Sequence, residues 1–130
     1  MRIIDRVSGI STITNQFVKA LNDDSIQILD TRKTTPLLRD LEKEAVLAGG
    51  GYNHRFGLYD MVLVKENHLI TFIKNYGISS FNSYIKSHKI QSPSVLIEVE
   101  INDQDILKLI DLEPIDIVML DNMSLDDLEK

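Results

Sequence analysis

The stretch "SVLIEVEI", Ser94–Ile101, has the composition of a β-strand, because β-branched residues dominate it and its last residues alternate in polarity. Three further short apolar stretches predict strands: Ile26–Leu29, "DMVLVK" at Asp60–Lys65 and "IDIVMLDN" at Ile115–Asn122. A helical pattern separates each predicted strand from the next. Short strands that are apolar on both faces are typical of a parallel sheet covered by helices. The sequence therefore predicts an α/β fold with about four parallel strands.

The predicted helices lie before and between these strands. Apolar residues at helical spacing predict a first helix over Arg2–Leu21. Pro36 suits the first turn of a second helix, which Gly49–Gly51 ends. A third helical region covers Asn67–Ser87, with a break at Gly77. Two shorter helices are expected after a cap at Asn102 or Asp103 and after a cap at Ser124.

Composition narrows the class of protein. The 130 residues are 43% apolar and 26% charged, which is ordinary for one globular domain. The absence of cysteine excludes disulfides, thiol catalysis and zinc–thiolate sites. No apolar run approaches the roughly 20 residues of a membrane span, and no signal segment opens the chain. We therefore expect a cytoplasmic protein without a membrane partner. The net charge of −6 argues against a nucleic-acid partner.

Charged residues follow each predicted strand. The first strand runs into Asp30, Thr31, Arg32 and Lys33, and the second runs into Lys65. The last two strands end at Glu100 and Asp121. Because ligands bind at the carboxyl ends of parallel strands, these side chains predict one converging site. The alternative is that Glu100 only closes a surface strand and that Asp121 caps the following helix.

The signs of these charges indicate the ligand. His54 and Arg55, in the loop before the second strand, add to the cations, which suit carboxylate or phosphate groups. The two acids could hold sugar hydroxyls or a magnesium ion that bridges phosphates. A phosphorylated sugar together with a small carboxylate is the simplest matching ligand set. By contrast, Arg39 and Lys43 are interpreted as a solvated helix face, paired with the acidic residues beside them.

Several motifs together resemble a known family. "ILDTRKTTPLLRDLEKEAVLAGGGYNHRFGLYDMVLVKENH", Ile28–His68, closely resembles the quinolinate phosphoribosyltransferases. "SGI" at Ser8–Ile10, "IEVEI" at Ile97–Ile101 and "MLDNMS" at Met119–Ser124 fit the same family in the same order. The resemblance covers essentially the whole chain. It implies a partial parallel α/β barrel of the type II phosphoribosyltransferase kind. It also implies a reaction in NAD biosynthesis, in which quinolinate and phosphoribosyl pyrophosphate give nicotinate mononucleotide, pyrophosphate and CO2.

The resemblance also implies roles for the charged residues. The pocket for the two carboxylates of quinolinate would be lined by Thr31, Arg32, His54, Arg55 and Lys65. Lys33 would face the phosphoribosyl pyrophosphate, while Glu100 and Asp121 would lie near the ribose hydroxyls and a Mg2+ ion bound with the pyrophosphate. The implied catalytic residues are Lys33, Lys65, Glu100 and Asp121.

The family's chain extends beyond this sequence in both directions. Residues 1–130 are therefore expected to be a partial barrel domain, without the N-terminal sandwich domain and the later barrel strands. Because an unclosed sheet leaves open edges, we expect a homo-oligomer or association with the missing domains. Two alternatives remain open. One is a catalytically incomplete remnant that binds a dicarboxylate or another subunit, and the other is a paralogous pyrophosphorylase that acts on another base.

Overall fold

The computed structural model describes residues 2–128 and divides into two compact units, with the boundary between Gly57 and Leu58. The first unit contains helix α1, Ile3–Leu21, and helix α2, Arg39–Ala48. The prediction of the first helix is confirmed. Helix α2 begins later than Pro36 because Leu37 adopts a positive φ of 68°, which no α-helix continues.

The predicted strand at Ile26–Leu29 is wrong. The structure has only an isolated parallel bridge there, between Leu29 and Tyr52. Tyr52 N–H donates to the carbonyl of Ile28 at 2.8 Å, and Asp30 N–H donates to the carbonyl of Tyr52 at 3.1 Å. The bridge does not extend toward Ile26, whose side chain is exposed, and no further strand pairing involves this segment within residues 2–128.

The second unit contains a parallel three-stranded sheet in the order β1-β2-β3. Its strands are β1 at Met61–Val64, β2 at Leu96–Ile101 and β3 at Ile117–Leu120. Val64 pairs with Val99, and Ile101 pairs with Leu120. The predicted α/β class with parallel strands is confirmed. The helices of this unit are α3 at Glu66–Tyr76, α4 at Ile78–Gln91, α5 at Gln104–Leu107 and α6 at Leu125–Leu128.

Glycine and capping residues set the helix boundaries of the second unit. Gly77 separates α3 from α4 with a φ of +82°, as the sequence predicts. Asp103 caps α5 by accepting the Asp105 N–H, and the Ser124 hydroxyl accepts the Asp127 N–H at the start of α6. Between residues 2 and 128, none of the helices has both the length and the apolar character to cross a membrane.

The core of the second unit lies on one face of the sheet. Ile97, Val99 and Ile101 alternate along β2 and pack with Leu69 and Phe81 from the covering helices. The residues between them, Glu98 and Glu100, therefore belong to the opposite face of the sheet.

Asp116 stabilises the start of the sheet through hydrogen bonds to β2 and α4. Its Oδ2 accepts the Ile97 N–H at 2.8 Å, and Lys89 Nζ donates to the same carboxylate at 2.7 Å. Burial raises the pKa of the Asp116 carboxyl, but the hydrogen bonds from Lys89 and Ile97 outweigh it and hold the pKa below its ordinary value.

Candidate functional site

Two loops of the first unit carry most of the predicted cations. One is the segment Asp30–Thr35, with the sequence DTRKTT, which we call the TRKTT segment and which leaves the bridge at Leu29. Its residues Thr31, Arg32 and Lys33 are exposed. The segment turns on itself, since Lys33 N–H donates to the Thr31 hydroxyl at 3.1 Å and Thr34 N–H donates to the Arg32 carbonyl at 3.0 Å. The side chains of Thr31, Arg32 and Lys33 therefore lie exposed on a tight turn.

The other loop is the NHR segment, Asn53–Phe56, and Asp30 joins it to the TRKTT segment. Asp30 Oδ1 accepts the His54 N–H at 2.9 Å. With its amide nitrogen facing these acceptors, Asn53 donates to Asp30 Oδ2 at 2.6 Å and to the Lys43 carbonyl at 3.0 Å. The structure thus brings the loop of His54 and Arg55 beside the loop of Thr31, Arg32 and Lys33.

Arg55 is the most buried of the predicted cations. Only 9% of the residue is exposed, and its Nη1 has no hydrogen-bond partner among residues 2–128. A buried donor left without a partner costs about 1–3 kcal/mol, and more when the group is charged. An anion that accepts a hydrogen bond from Nη1 would recover this free energy. The geometry therefore suits Arg55 to a carboxylate or phosphate ligand.

The interpretation of Arg39 and Lys43 as a solvated helix face is wrong. Lys43 is 1% exposed, and its Nζ donates to Asp30 Oδ1 at 2.5 Å and to the His54 carbonyl at 2.7 Å. Arg39 is half-buried and reaches the Phe56 carbonyl. Sequence reasoning named Asp30 among the residues at a strand end but gave it no role, and it missed Lys43 as a site residue. The available signal was that Lys43 lies three residues before Val46, and so shares a helix face with an apolar residue.

Glu42 is also buried, on a neighbouring side of α2. Its Oε1 accepts from Arg6 Nε at 2.5 Å, and its Oε2 accepts the Thr35 N–H at 3.2 Å. Burial raises the pKa of the Glu42 carboxyl, but the hydrogen bonds from Arg6 and Thr35 outweigh it and place the pKa below its ordinary value. Glu42 therefore holds the end of the TRKTT segment as an anion.

An open cleft of about 290 Å³ lies beside the TRKTT segment within the first unit. Its lining comprises Arg6, Ile10, Asp30, Thr31, Lys33, Thr34, Glu42, Lys43 and Val46. Thr31 and Lys33 are thus the predicted site residues that line a concave surface in this unit.

The remaining predicted residues lie in the second unit, at the carboxyl edge of its sheet. Lys65 directly follows β1 and, one step beyond the Val64–Val99 pair, stands opposite Glu100. Asp121 directly follows β3, and its N–H donates to the Ile101 carbonyl at 2.9 Å. By the alternation of the strands, Lys65, Glu100 and Asp121 belong to the face of the sheet opposite the helical core. Whether all four predicted strand ends share one site stays a prediction.

Asp121 does not cap the following helix, which was the alternative to a site role. Helix α6 begins after Ser124, and Asp121 instead accepts a hydrogen bond from the Asn122 side-chain amide at 2.9 Å. Glu100 is half-buried on the central strand, so it does not lie on an exposed strand edge. Across residues 2–128, no three His, Asp or Glu side chains are grouped as a metal site. Glu100 and Asp121 fit Mg2+ only in its usual mode, in which one or two carboxylates bind together with water and substrate phosphates.

A family model described as "Quinolinate phosphoribosyl transferase, C-terminal domain" matches residues 10–130. Among curated proteins, the chain is 46% identical over 122 residues to a "Probable nicotinate-nucleotide pyrophosphorylase (carboxylating)" of Bacillus subtilis (strain 168), covering 94% of this chain and 40% of that protein. It is 35% identical over 122 residues to the nicotinate-nucleotide pyrophosphorylase (carboxylating) of Mycobacterium leprae, covering 94% and 41%. The chain thus spans about two fifths of the length of these relatives.

Solved structures also resemble this chain in fold and sequence. NadC from Streptococcus pyogenes matches with a TM-score of 0.77 and 42% identity, covering 95% of this chain and 41% of that one. The nicotinate-nucleotide pyrophosphorylase from Francisella tularensis matches with a TM-score of 0.79 and 40% identity, covering 95% and 42%.

Proposed function

Since this chain belongs to the quinolinate phosphoribosyl transferase C-terminal domain family, we propose that it serves the reaction of quinolinate with phosphoribosyl pyrophosphate. The ring nitrogen of quinolinate forms a bond to C1 of the ribose, and the bond from C1 to pyrophosphate breaks. The quaternary ring then accepts the electron pair left by its neighbouring carboxylate, which departs as CO2. A proton replaces that carboxylate, and the product is nicotinate mononucleotide. We propose a cytoplasmic location.

We propose that the first unit binds the two carboxylates of quinolinate. Arg32 and Arg55 are suited to this role because guanidinium groups bind carboxylates in a bidentate manner. Thr31 and His54 lie on the same two joined loops and would complete the pocket, and Lys33 would bind phosphoribosyl pyrophosphate. The observation that carries this proposal is the buried Arg55, whose Nη1 has no hydrogen-bond partner within residues 2–128.

In the second unit, we propose that Lys65 also faces a carboxylate and that Glu100 and Asp121 face the ribose. Departure of pyrophosphate leaves positive charge on the ribose ring, and two carboxylates on one face of the sheet would stabilise that charge. Mg2+, when bound, would neutralise charge on the leaving pyrophosphate. Glu100 and Asp121 are the residues that we expect to lie closest to it. Lys33, Lys65, Glu100 and Asp121 are the proposed catalytic residues.

We also propose that the chain forms homo-oligomers or associates with further domains of the same enzyme. Helix α1 supports this proposal, because several of its large apolar side chains are more than half exposed. They are Ile3, Ile4, Ile13 and Phe17. Strands β1 and β3 each pair on one side only within the part of the chain that the structure describes.

The binding proposal is tested by calorimetric titration of quinolinate into the purified chain and into the Arg55→Leu variant. We expect the variant to lose at least about tenfold in affinity, because charge-assisted hydrogen bonds contribute about 1.5–3 kcal/mol. Lys19→Leu is the matched control, since it removes an exposed cation of α1 in the same unit and should leave affinity unchanged. Unchanged affinity in Arg55→Leu would remove Arg55 from the pocket.

A turnover assay with quinolinate, phosphoribosyl pyrophosphate and Mg2+ tests the reaction itself. Nicotinate mononucleotide is the readout. Product above the level of the Asp121→Ala variant would identify the chain as an enzyme in its own right. Binding of quinolinate without product would limit the chain's own role to the pyridine pocket.

A further inference from the structure

Helix α2 ties together the two loops that carry the predicted cations. Lys43 contacts both: its Nζ donates to Asp30 Oδ1 of the TRKTT segment at 2.5 Å and to the His54 carbonyl of the NHR segment at 2.7 Å. Asp30 Oδ1 in turn accepts the His54 N–H at 2.9 Å. Lys43, Asp30 and His54 therefore form a closed set of hydrogen bonds, in which moving one segment breaks a bond to the other.

This set is buried. The side chains of Lys43 and Asp30 are 1% and 6% exposed, and Lys43 Nζ lies 4.6 Å from the centre of the Phe56 ring. A buried ion pair often adds little to stability compared with apolar residues of similar volume, because both charges lose their hydration. Such a pair does fix geometry, since each group has few other positions that satisfy it. The pair is thus better explained by the arrangement that it imposes than by the stability that it contributes.

Other residues of α2 hold the same two segments. Arg39 Nε lies 3.4 Å from the Thr34 hydroxyl, and Arg39 Nη1 lies 3.4 Å from the Phe56 carbonyl. Both distances are long, so these bonds are weaker than those of Lys43. Glu42 accepts the Thr35 N–H. The TRKTT segment is therefore held from α2 at both ends, and Lys43 supplies the shortest link to the NHR segment.

We propose that Lys43 is a positioning residue that sets the spacing between Arg32 and Arg55, and thereby the preference for a pyridine with two adjacent carboxylates over one with a single carboxylate. This proposal rests on the proposed function. Lys43 acts through Asp30 and the backbone of His54. A dicarboxylate gains over a monocarboxylate only if both guanidinium groups are correctly placed at the same time. If one loop can move relative to the other, the affinity for a dicarboxylate falls toward that for a monocarboxylate. Binding of a single carboxylate by one guanidinium group is largely unaffected.

The test compares the affinity for quinolinate with the affinity for nicotinate, which has one carboxylate, in the wild-type chain and in Lys43→Met. We expect the ratio of the two affinities to fall by about tenfold or more, because a hydrogen bond to a charged group that no longer forms lowers affinity by about that factor. Lys19→Met, an exposed lysine in the same unit, is the control and should keep the wild-type ratio. A variant that only unfolds would lower both affinities in proportion and leave the ratio unchanged, and an unchanged ratio in Lys43→Met overturns the proposal.

The double variant Lys43→Met with Asp30→Leu separates positioning from stability. It removes both buried charges, so its stability should exceed that of Lys43→Met alone, which leaves Asp30 buried without its cation. The positioning role predicts that the affinity ratio stays low in the double variant. Recovery of the ratio in the double variant would show that the two loops keep their spacing without the Lys43–Asp30 pair, and this result overturns the proposal.

Amide hydrogen exchange without ligand distinguishes failure of this proposal from failure of the proposed function. In Lys43→Met, exchange at the His54 N–H should accelerate, while amides of the second unit such as Val99 keep their rates. If the wild-type chain binds neither quinolinate nor nicotinate, the proposed function fails and the His54 exchange rate alone decides the role of Lys43. An unchanged rate at His54 overturns the role, and an accelerated rate supports it.

Discussion

Replacing Gly49 with alanine tests how closely α1 and α2 approach. A Cβ at Gly49 would lie 2.6 Å from the Ser11 carbonyl oxygen and 2.6 Å from Thr14 Cβ. Both atoms are fixed to the backbone of α1, so no side-chain rotation relieves the overlap. Ordinary contact begins at 3.4 Å, and the helices would therefore have to separate by about 0.8 Å. The φ of Gly49 is −81°, which alanine adopts freely, so the effect of the substitution is steric.

The free energy of unfolding should fall by about 2 kcal/mol in Gly49→Ala, because over-packing typically costs about 1–3 kcal/mol. The hydrogen bond from Asn15 Nδ2 to the Gly49 carbonyl, 3.3 Å long, would weaken as the helices separate. Gly9 provides the matched control. It lies inside α1, and a Cβ there would meet nothing within 4 Å. Gly9→Ala should therefore stabilise the chain by about 0.5–1 kcal/mol through helix propensity.

Urea denaturation followed by far-ultraviolet circular dichroism measures both changes. The expected result is a lower midpoint for Gly49→Ala and a higher midpoint for Gly9→Ala, with similar slopes. If both substitutions raise the midpoint, the close approach of α1 to Gly49 is absent and the described packing of the first unit is wrong. A lower midpoint for both would instead contradict the open space at Gly9.

Two further predictions concern acid and self-association. Burial raises the pKa of Glu42 and of Asp116, but the hydrogen bonds that they accept outweigh it and place the folded-state pKa below the ordinary 4.5 and 3.8. The stability that these two carboxylates contribute is therefore fully present above those values and is lost as the pH falls through the folded-state pKa. The thermal midpoint should fall on acidification. It should fall less steeply in Asp116→Asn, which lacks one of the two titrating groups. The exposed apolar face of α1 predicts concentration-dependent association in sedimentation velocity, which Phe17→Glu should weaken; a wild-type monomer at high concentration would contradict this.

The elements with strong local signals could be predicted from the sequence. Helix α1 follows from apolar spacing, Gly77 from its permissive backbone, and the second-unit strands from short stretches rich in β-branched and apolar residues. The segment Ile26–Leu29 has the same composition but forms only a bridge. A strand needs a partner along its whole length, and pairing of that kind is a long-range property that a segment of four residues does not encode.

The charged residues show even more clearly that a sequence does not reveal long-range partners. Sequence reasoning placed Lys65 and Asp121 at the carboxyl edge of the sheet because each follows an apolar strand, and both lie there in the structure. It misplaced Lys43, since a lysine among acidic neighbours on a helix is usually solvated. What buries Lys43 is Asp30, thirteen residues away, together with the backbone of a loop that follows the helix. Burial of a charge depends on a partner that only the fold supplies.

Two adjacent residues of α2, Glu42 and Lys43, contact different parts of the neighbouring loops. Successive side chains on an α-helix lie about 100° apart, so Glu42 and Lys43 project toward different neighbours. Glu42 accepts from Arg6 and Thr35, while Lys43 donates to Asp30. The signs of the charges follow from these neighbours: a backbone N–H and a guanidinium need an acceptor, and a carboxylate needs a donor. Exchanging the two residues would leave composition and net charge unchanged, yet would set carboxylate against carboxylate and ammonium against guanidinium in buried positions. The order of the two charges along α2, rather than their number, is therefore what the two loops require.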